Sequence, residues 1–180
     1  MLVRAYTLGY GGLPPEHFLE VVSSIGCRVV VDVRRFPRSR VGFYSGESLK
    51  VELERVGVSY VWLGELGALG LSKKYKAAEP IACTSSPTFR AYVAYLATEP
   101  LALNALSRIR GMAAEGLAPL IICKERRPEH CHRQFIADAL TAMGVEVLHI
   151  IGEELVEHAG SPCREYLSSK LPREFTQREC

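Results

Sequence analysis

The most reactive side chains of this sequence lie in one short segment, residues 123–133, which follows an apolar run typical of a buried strand. Cys123 ends that run, and Cys131 stands where the next amphipathic helix begins. A thiol in either position, beside basic residues, is favoured as the nucleophilic thiolate. We therefore predict Cys123 and Cys131 as catalytic residues. Three neighbouring side chains are predicted to contact the ligand: Lys124, His132 and Arg133.

A second basic segment, residues 32–40, follows another apolar strand and suits anion recognition. It carries four arginines against one aspartate, a local excess of +3. Guanidinium groups form flat forks that match phosphate and carboxylate oxygens. Asp32 lies inside the apolar run, where an unpaired charge is costly, so we expect a structural Asp32–Arg pair. The predicted anion ligands here are Arg34, Arg38 and Arg40.

Two further loops contribute candidate residues. Gly9 to Gly12 (GYGG) precede a helix, so their backbone amides could form a small anion nest. We predict ligand contacts from Tyr10 and Gly11, although the segment lacks the dinucleotide fingerprint and a phosphate-loop lysine. Glu65, which follows the third strand, is predicted as a catalytic carboxylate.

Strands and amphipathic helices alternate along the chain, which predicts an α/β fold: a single domain with a mostly parallel five-stranded sheet and helices on both faces. Such sheets bind ligands beyond the carboxyl ends of their strands, where all four loops fall, so we expect one cleft. The domain spans 1–151, with a polar C-terminal extension, 152–180, packed on it or trailing from it. Residues 64–85 are predicted as a long functional loop or lid. The strands are predicted at 3–8, 28–33, 58–63, 119–123 and 145–151.

Composition excludes several classes of protein. With 180 residues the chain can bury one core unaided, and a formal net charge of +2 is too small for wholesale coating of nucleic acid. No apolar run reaches the length of a membrane span, and the N-terminus lacks a signal-peptide pattern. We therefore predict a cytoplasmic protein. Its six cysteines are scattered, so we expect ordinary thiols there instead of a disulfide frame.

Four motifs together resemble the domain-of-unknown-function family 488, a widespread bacterial and archaeal group. They cover most of the chain up to about residue 150. The resemblance implies a compact α/β domain with an active cleft built from these motifs. It implies no particular reaction, because the family's activity is not established, although some members carry labels suggesting DNA repair. The motifs are TLGYGG (7–12), VVDVRRFPRSR (30–40), LGELG (63–67) and CKERRPEHCHR (123–133).

Three functions remain open. The first is an enzyme acting on a phosphorylated or nucleotide-like small molecule or on a nucleic-acid end. The second is a non-enzymatic nucleic-acid-binding module, in which Lys73, Lys74 and Lys76 help the arginine loop to bind phosphates. The third is a rhodanese-like thiol sulfurtransferase, which Cys123 followed by KERR favours, although Pro128 stands where that loop's closing arginine belongs.

A metal site receives less support from spacing. Cysteine and histidine side chains of the 123–133 segment supply sulfur and nitrogen ligands suited to zinc. The spacing C-x7-C-H is not that of a usual zinc knuckle, and neighbouring side chains on an extended segment point apart. We therefore predict no metal and no cofactor.

Overall fold

The computed structural model describes residues 2–76 and 79–176. Its strands are β1 (Arg4–Gly9), β2 (Val29–Asp32), β3 (Ser59–Trp62), β4 (Leu120–Cys123), β5 (Glu146–Ile151) and β6 (Glu154–Glu157). They form one sheet in the order β3-β2-β4-β1-β5-β6. The first five strands are parallel, and β6 pairs antiparallel with β5. The predicted fold class is therefore confirmed, with one edge strand more than expected.

The helices form where apolar residues recur at helical spacing. Phe18 and Val22, one turn apart, are buried in the first helix, and Gly26, with a φ of 64°, ends the turn that follows it. Among the residues described, no helix is long and apolar enough to cross a membrane. The helices are α1 (Pro15–Ser24), α2 (Gly46–Arg55), α3 (Leu71–Lys74), α4 (Pro87–Thr98), α5 (Pro100–Ala114), α6 (Arg133–Ala142), α7 (Arg164–Lys170) and α8 (Arg173–Thr176).

The helices cover both faces of the sheet. On one face, Phe18 of α1 and Leu49 of α2 pack on residues of β1, β2 and β4. On the other face, α4, α5, α6 and α7 share a larger core with the same strands. The connections from β1 to β2 and from β2 to β3 cross the first face and run towards one side of the sheet. The connection from β4 to β5 crosses the second face and runs towards the other side. At such a reversal of direction, the loops after the strands (here β1, β2 and β4) border a crevice at the carboxyl edge of the sheet.

The C-terminal segment belongs to the same core. Cys163, Leu167 and Leu171 are buried against helices of the second face. A disulfide joins Cys163 to Cys83, across 80 residues of sequence. The expectation of ordinary thiols is therefore wrong for these two residues, because folding brings together cysteines whose spacing gave no hint of pairing. Cys180 lies outside the described residues.

Candidate functional site

Two adjoining hollows lie at the carboxyl edge of the sheet. The first has a volume of about 330 Å³ and the second about 700 Å³. Three side chains line both hollows and so join them: Tyr10, Arg38 and Lys124. Of these two hollows, the first is also lined by Arg34, Cys123, Cys131 and His132, and the second by Gly11 and Arg40. The loops after three different strands thus contribute predicted site residues to one region.

A sulfur cluster, Cys123, Cys131 and His132, lies at the floor of the first hollow. Cys123 is the last residue of β4, and the other two residues directly precede α6. His132 Nδ1 lies 4.0 Å from Cys123 Sγ and 3.7 Å from Cys131 Sγ. The two thiols are only 5% and 2% exposed. The three side chains therefore form a compact, buried group that lines the first hollow.

The pKa values of the two thiols are shifted in opposite directions. Burial alone would raise the pKa of Cys131, but its hydrogen-bonding contacts with Cys123 and His132 and the nearby charges of His132 and Arg133 lower it well below its ordinary value. The pKa of Cys123 is raised, first by its hydrogen bond to Cys131 and then by burial. Of the two thiols, Cys131 therefore loses its proton more readily than Cys123.

Arg133 donates to Cys131 from below the floor. Its Nε donates to Cys131 Sγ at 3.3 Å, Nη1 donates to Thr7 Oγ1 at 2.9 Å, and Nη2 donates to the Glu125 carbonyl at 2.6 Å. The side chain is buried and lines neither hollow. Arg133, which the sequence predicted as an anion ligand, therefore contacts the sulfur and positions the loop above it.

A buried chain of polar side chains continues from Thr7 away from the cleft. Thr7 Oγ1 lies 2.7 Å from His149 Nδ1, and His149 Nε2 lies 2.8 Å from His158 Nδ1. His158 Nε2 in turn lies 2.8 Å from Asp138 Oδ1. Burial, followed by the charge of His158, lowers the pKa of His149 to about 4. The sequence gave no signal for this chain, because its members come from separate elements.

Arg34 is engaged in a second buried network. It donates to both carboxylate oxygens of Asp32, at 2.8 and 2.5 Å, to the Tyr10 hydroxyl at 2.6 Å and to the Tyr44 carbonyl at 2.8 Å. Tyr60 also donates to Asp32. Burial would lower the pKa of Arg34, but the hydrogen bond and charge of Asp32 raise it. The expected Asp32–Arg pair is confirmed, and it occupies the guanidinium that was predicted to hold an anion.

The glycines of the first motif permit close packing of loops. A Cβ on Gly9 would lie 1.8 Å from the Glu125 carbonyl oxygen, and one on Gly11 would lie 2.6 Å from the Lys124 carbonyl oxygen. The Gly11 amide donates to that same Lys124 oxygen at 2.9 Å. Gly11 therefore fixes the position of Lys124, whereas the predicted anion nest would need its amide to point at the ligand.

The cationic rim of the cleft consists of Arg38, Arg40 and Lys124, all of which are exposed. Within residues 2–76 and 79–176, their side chains make no hydrogen bond or ion pair with another side chain. Their positive charges therefore face the solvent of the two hollows. These three side chains can bind an anion without first breaking a contact within the protein.

The predicted carboxylate, Glu65, lies away from the two hollows, whereas Glu125, which was not predicted, lines the first one. Glu65 lies in a short 3-10 turn, Gly64–Leu66, where its carbonyl accepts a hydrogen bond from Tyr95, and it lines neither hollow. Glu125 lines the first hollow and accepts a hydrogen bond from Cys123 Sγ at 3.1 Å. Its position two residues beyond the strand end was the available signal, and sequence reasoning missed it.

Comparisons with known proteins give a family and no activity. A family model described as "Domain of unknown function DUF488" matches residues 14–140. No curated protein and no solved structure matches the chain. The matched residues contain the arginine loop, the sulfur cluster and Glu125, so the site lies largely inside the part of the chain shared with the family.

Proposed function

We propose that this chain, which belongs to the domain-of-unknown-function family DUF488, is an enzyme that binds a small phosphorylated or nucleotide-like anion and acts on it at the sulfur cluster. The observation that carries the proposal is the position of Arg38 and Lys124. Both are exposed cations, and both line the two hollows, one of which has the sulfur cluster as its floor.

The size of the hollows supports a small-molecule ligand. Sites for ligands of this size usually have volumes of about 300–1,000 Å³, and both hollows fall in that range. A ligand with a phosphate and a second group could place the phosphate between Arg38 and Lys124 and extend into either hollow. Phe36, Leu69 and Phe89 add apolar surface to the first hollow, which suits a ring or another apolar group.

The sulfur cluster supplies the chemistry. A thiol with a lowered pKa, such as Cys131, can act as a nucleophile or as a metal ligand. Glu125 adds a carboxylate beside Cys123 that can accept or donate a proton. Arg133 and Arg34 hold the surrounding loops in place through their buried hydrogen bonds. This combination of a fixed floor and a charged entrance is typical of enzyme sites.

Thermal unfolding with added ligands tests the proposal. Inorganic phosphate, nucleoside monophosphates and sugar phosphates are added separately to wild-type protein and to the Arg38→Ala variant. A bound anion raises the wild-type unfolding temperature, and Arg38→Ala, which removes a charged hydrogen-bond donor worth about 1.5–3 kcal/mol, weakens binding roughly 10- to 100-fold.

Arg28→Ala is the matched control, because Arg28 is exposed and precedes β2 at the opposite edge of the sheet. It should keep every ligand response. Equal responses of wild type and Arg38→Ala to all ligands would reject anion binding at this cleft.

Two alternative functions give different results. A nucleic-acid-binding module would use the exposed Lys73, Lys74 and Lys76 and would show binding to oligonucleotides that weakens steeply with salt. A sulfurtransferase would carry a persulfide on Cys123 or Cys131, which mass spectrometry of protein treated with a sulfur donor detects. Tight binding of one small anion, without oligonucleotide binding and without a persulfide, favours the small-molecule enzyme.

We also propose a cytoplasmic location. Cys123 and Cys131 are free thiols that lie close together, and such a pair persists most readily in a reducing compartment. The Cys83–Cys163 disulfide counts against this location, because disulfides form mainly in oxidising compartments. Its Cys163 end is fully buried. Alkylation of thiols immediately on cell lysis, followed by mass spectrometry, tests the location through the redox state of both pairs.

A further inference from the structure

The sulfur cluster has the composition of a metal site. Cys123 Sγ, Cys131 Sγ and a ring nitrogen of His132 all lie within 4.8 Å of one another. All three side chains are buried and line the same hollow. The turn between β4 and α6 brings Cys131 back beside Cys123, eight positions earlier in the chain. The eight-residue spacing of the two cysteines along the sequence therefore gave no sign that they lie together with His132 in the folded chain.

The orientation of His132 distinguishes a ligand from a packed histidine. His132 Nε2 lies 3.1 Å from the Val33 carbonyl oxygen. A carbonyl only accepts hydrogen bonds, so Nε2 donates to it, and Nδ1 is the ring nitrogen that faces both sulfurs and offers its lone pair to a metal when the ring is neutral. Metal-binding histidines characteristically donate their second ring nitrogen to a carbonyl or carboxylate in this way.

The distances and charges fit one particular ion. Tetrahedral zinc, with Zn–S about 2.3 Å and Zn–N about 2.0 Å, requires its ligand atoms to be about 3.5–3.8 Å apart. The measured Nδ1–Sγ distances are 3.7 Å to Cys131 and 4.0 Å to Cys123, and all three ligand atoms lie within 4.8 Å of one another. The group must therefore contract by at most about 1 Å to hold the ion. Two thiolates neutralise a divalent cation, which makes its burial favourable, and the Arg133 donations to Cys131 support the thiolate.

We propose that Cys123, Cys131 and His132 bind one Zn²⁺ ion whose fourth coordination position opens into the first hollow. A set of two cysteines and one histidine with an open position is a pattern of catalytic zinc, whereas structural sites use four protein ligands. The fourth position holds water or an oxygen of the ligand. Glu125, whose carboxylate lies 3.1 Å from Cys123 Sγ and which lines the same hollow, would accept a proton from that water. Only this catalytic use of the metal rests on the proposed function; metal binding itself does not.

Metal titration of reduced, metal-free protein tests the site. Zn²⁺ is added in competition with a chromophoric chelator, and Co²⁺ is added separately to record the absorption spectrum. The expected result is one Zn²⁺ per chain, with a Co²⁺ spectrum showing thiolate charge-transfer bands and the ligand-field bands of a tetrahedral site. Absence of one-to-one binding, or a Co²⁺ spectrum without thiolate bands, would overturn the proposal without any variant.

Variants then assign the ligands. Cys131→Ser and His132→Ala are each expected to lower zinc affinity at least about 100-fold, because loss of even an outer hydrogen-bond partner costs about 10- to 100-fold. Cys27→Ser is the matched control: Cys27 is also a buried free thiol, but it precedes β2 at the opposite edge of the sheet. It should bind zinc like wild type. Equal affinity of Cys131→Ser and wild type would contradict the assignment.

Failure of this inference can be told apart from failure of the proposed function. The Arg38→Ala variant should bind one Zn²⁺ like wild type while losing its response to anions. Zinc binding without any anion response would reject the proposed function and keep the metal site. An anion response in a protein that binds no zinc would reject the metal site and keep the proposed function, with Cys131 as the nucleophile.

Discussion

The floor and the rim of the cleft use the same residue type in opposite ways. Around and below the floor, Arg34 and Arg133 are buried, and their guanidinium groups donate to protein acceptors. At the rim, Arg38 and Arg40 are exposed, and their guanidinium groups face solvent. An arginine near a site therefore binds a ligand only if the fold has left its donors available. The buried arginines hold the loops in place, and under the proposed function the exposed ones would bind the anion.

Removing one floor charge should have the largest effect on stability. Arg34→Met leaves Asp32 buried without its partner at 2.5 Å, and breaking a buried pair typically costs about 3–5 kcal/mol. Urea unfolding should show this loss. Arg38→Met is the matched rim substitution and should change the free energy of unfolding by less than about 0.5 kcal/mol. Similar losses in the two variants would erase the distinction between floor and rim.

Removal of the disulfide should lower the stability of the protein and leave its affinity for anions unchanged. The double variant Cys83→Ala, Cys163→Ala opens a loop of 80 residues and should lower the free energy of unfolding by about 2–4 kcal/mol. Neither residue lines the cleft, so affinity for anions should stay as in wild type. Denaturant unfolding and ligand titration measure the two quantities. A parallel loss of affinity would mean that the disulfide helps to shape the cleft.

The histidine chain behind the floor predicts how stability varies with pH. The pKa of His149 falls from 6.5 to about 4 on folding, so between these values the unfolded chain binds a proton that the folded chain does not. Stability contributed by this group is complete above pH 6.5 and is lost as the pH falls towards 4, by about 3 kcal/mol at most. Urea unfolding of wild type should show this slope. The His149→Gln variant should lose this pH dependence. An unchanged slope in the variant would show that a group other than His149 causes it.

The rim depends on the close approach of the loop after β4 to Gly9, the last residue of β1. A Cβ there would meet the Glu125 carbonyl at 1.8 Å, so Gly9→Ala must displace the loop that carries Lys124. Overpacking of this kind costs about 1–3 kcal/mol, and anion affinity should fall with stability. Gly111→Ala, in α5 with open space around it, is the control and should stabilise by up to about 1 kcal/mol. Neutral behaviour of Gly9→Ala would show that the loop adapts.

The fold followed from local patterns, which is why most of it could be predicted. The five parallel strands are short apolar runs bounded by glycine or proline, and the helices show apolar residues at helical spacing. The missed strand, β6, lies at the sheet edge with Leu155 and Val156 exposed, so burial left no pattern in its sequence. Convergence of the loops at one edge followed from parallel pairing alone.

The roles of individual site residues could not be predicted to the same extent, because they depend on contacts between distant segments. Arg34 and Arg38 look alike in sequence, but only Arg34 is two residues from Asp32 on the same strand end and folds back onto it. The approach of Cys131 to Cys123 depends on the turn before α6, and the Cys83–Cys163 bond depends on packing of α7 against α4. Such facts require the folded chain.

Protection of the thiols by an anion tests most directly whether the rim and the sulfur cluster face one cleft. Metal-free protein is treated with iodoacetamide, with and without saturating inorganic phosphate or the nucleotide that most raises its unfolding temperature. Mass spectrometry then follows alkylation of each cysteine. We predict that the anion slows alkylation of Cys123 and Cys131, that it leaves Cys27 unaffected, and that Arg38→Ala abolishes the protection. Unchanged alkylation of Cys123 and Cys131 with a bound anion would contradict the account.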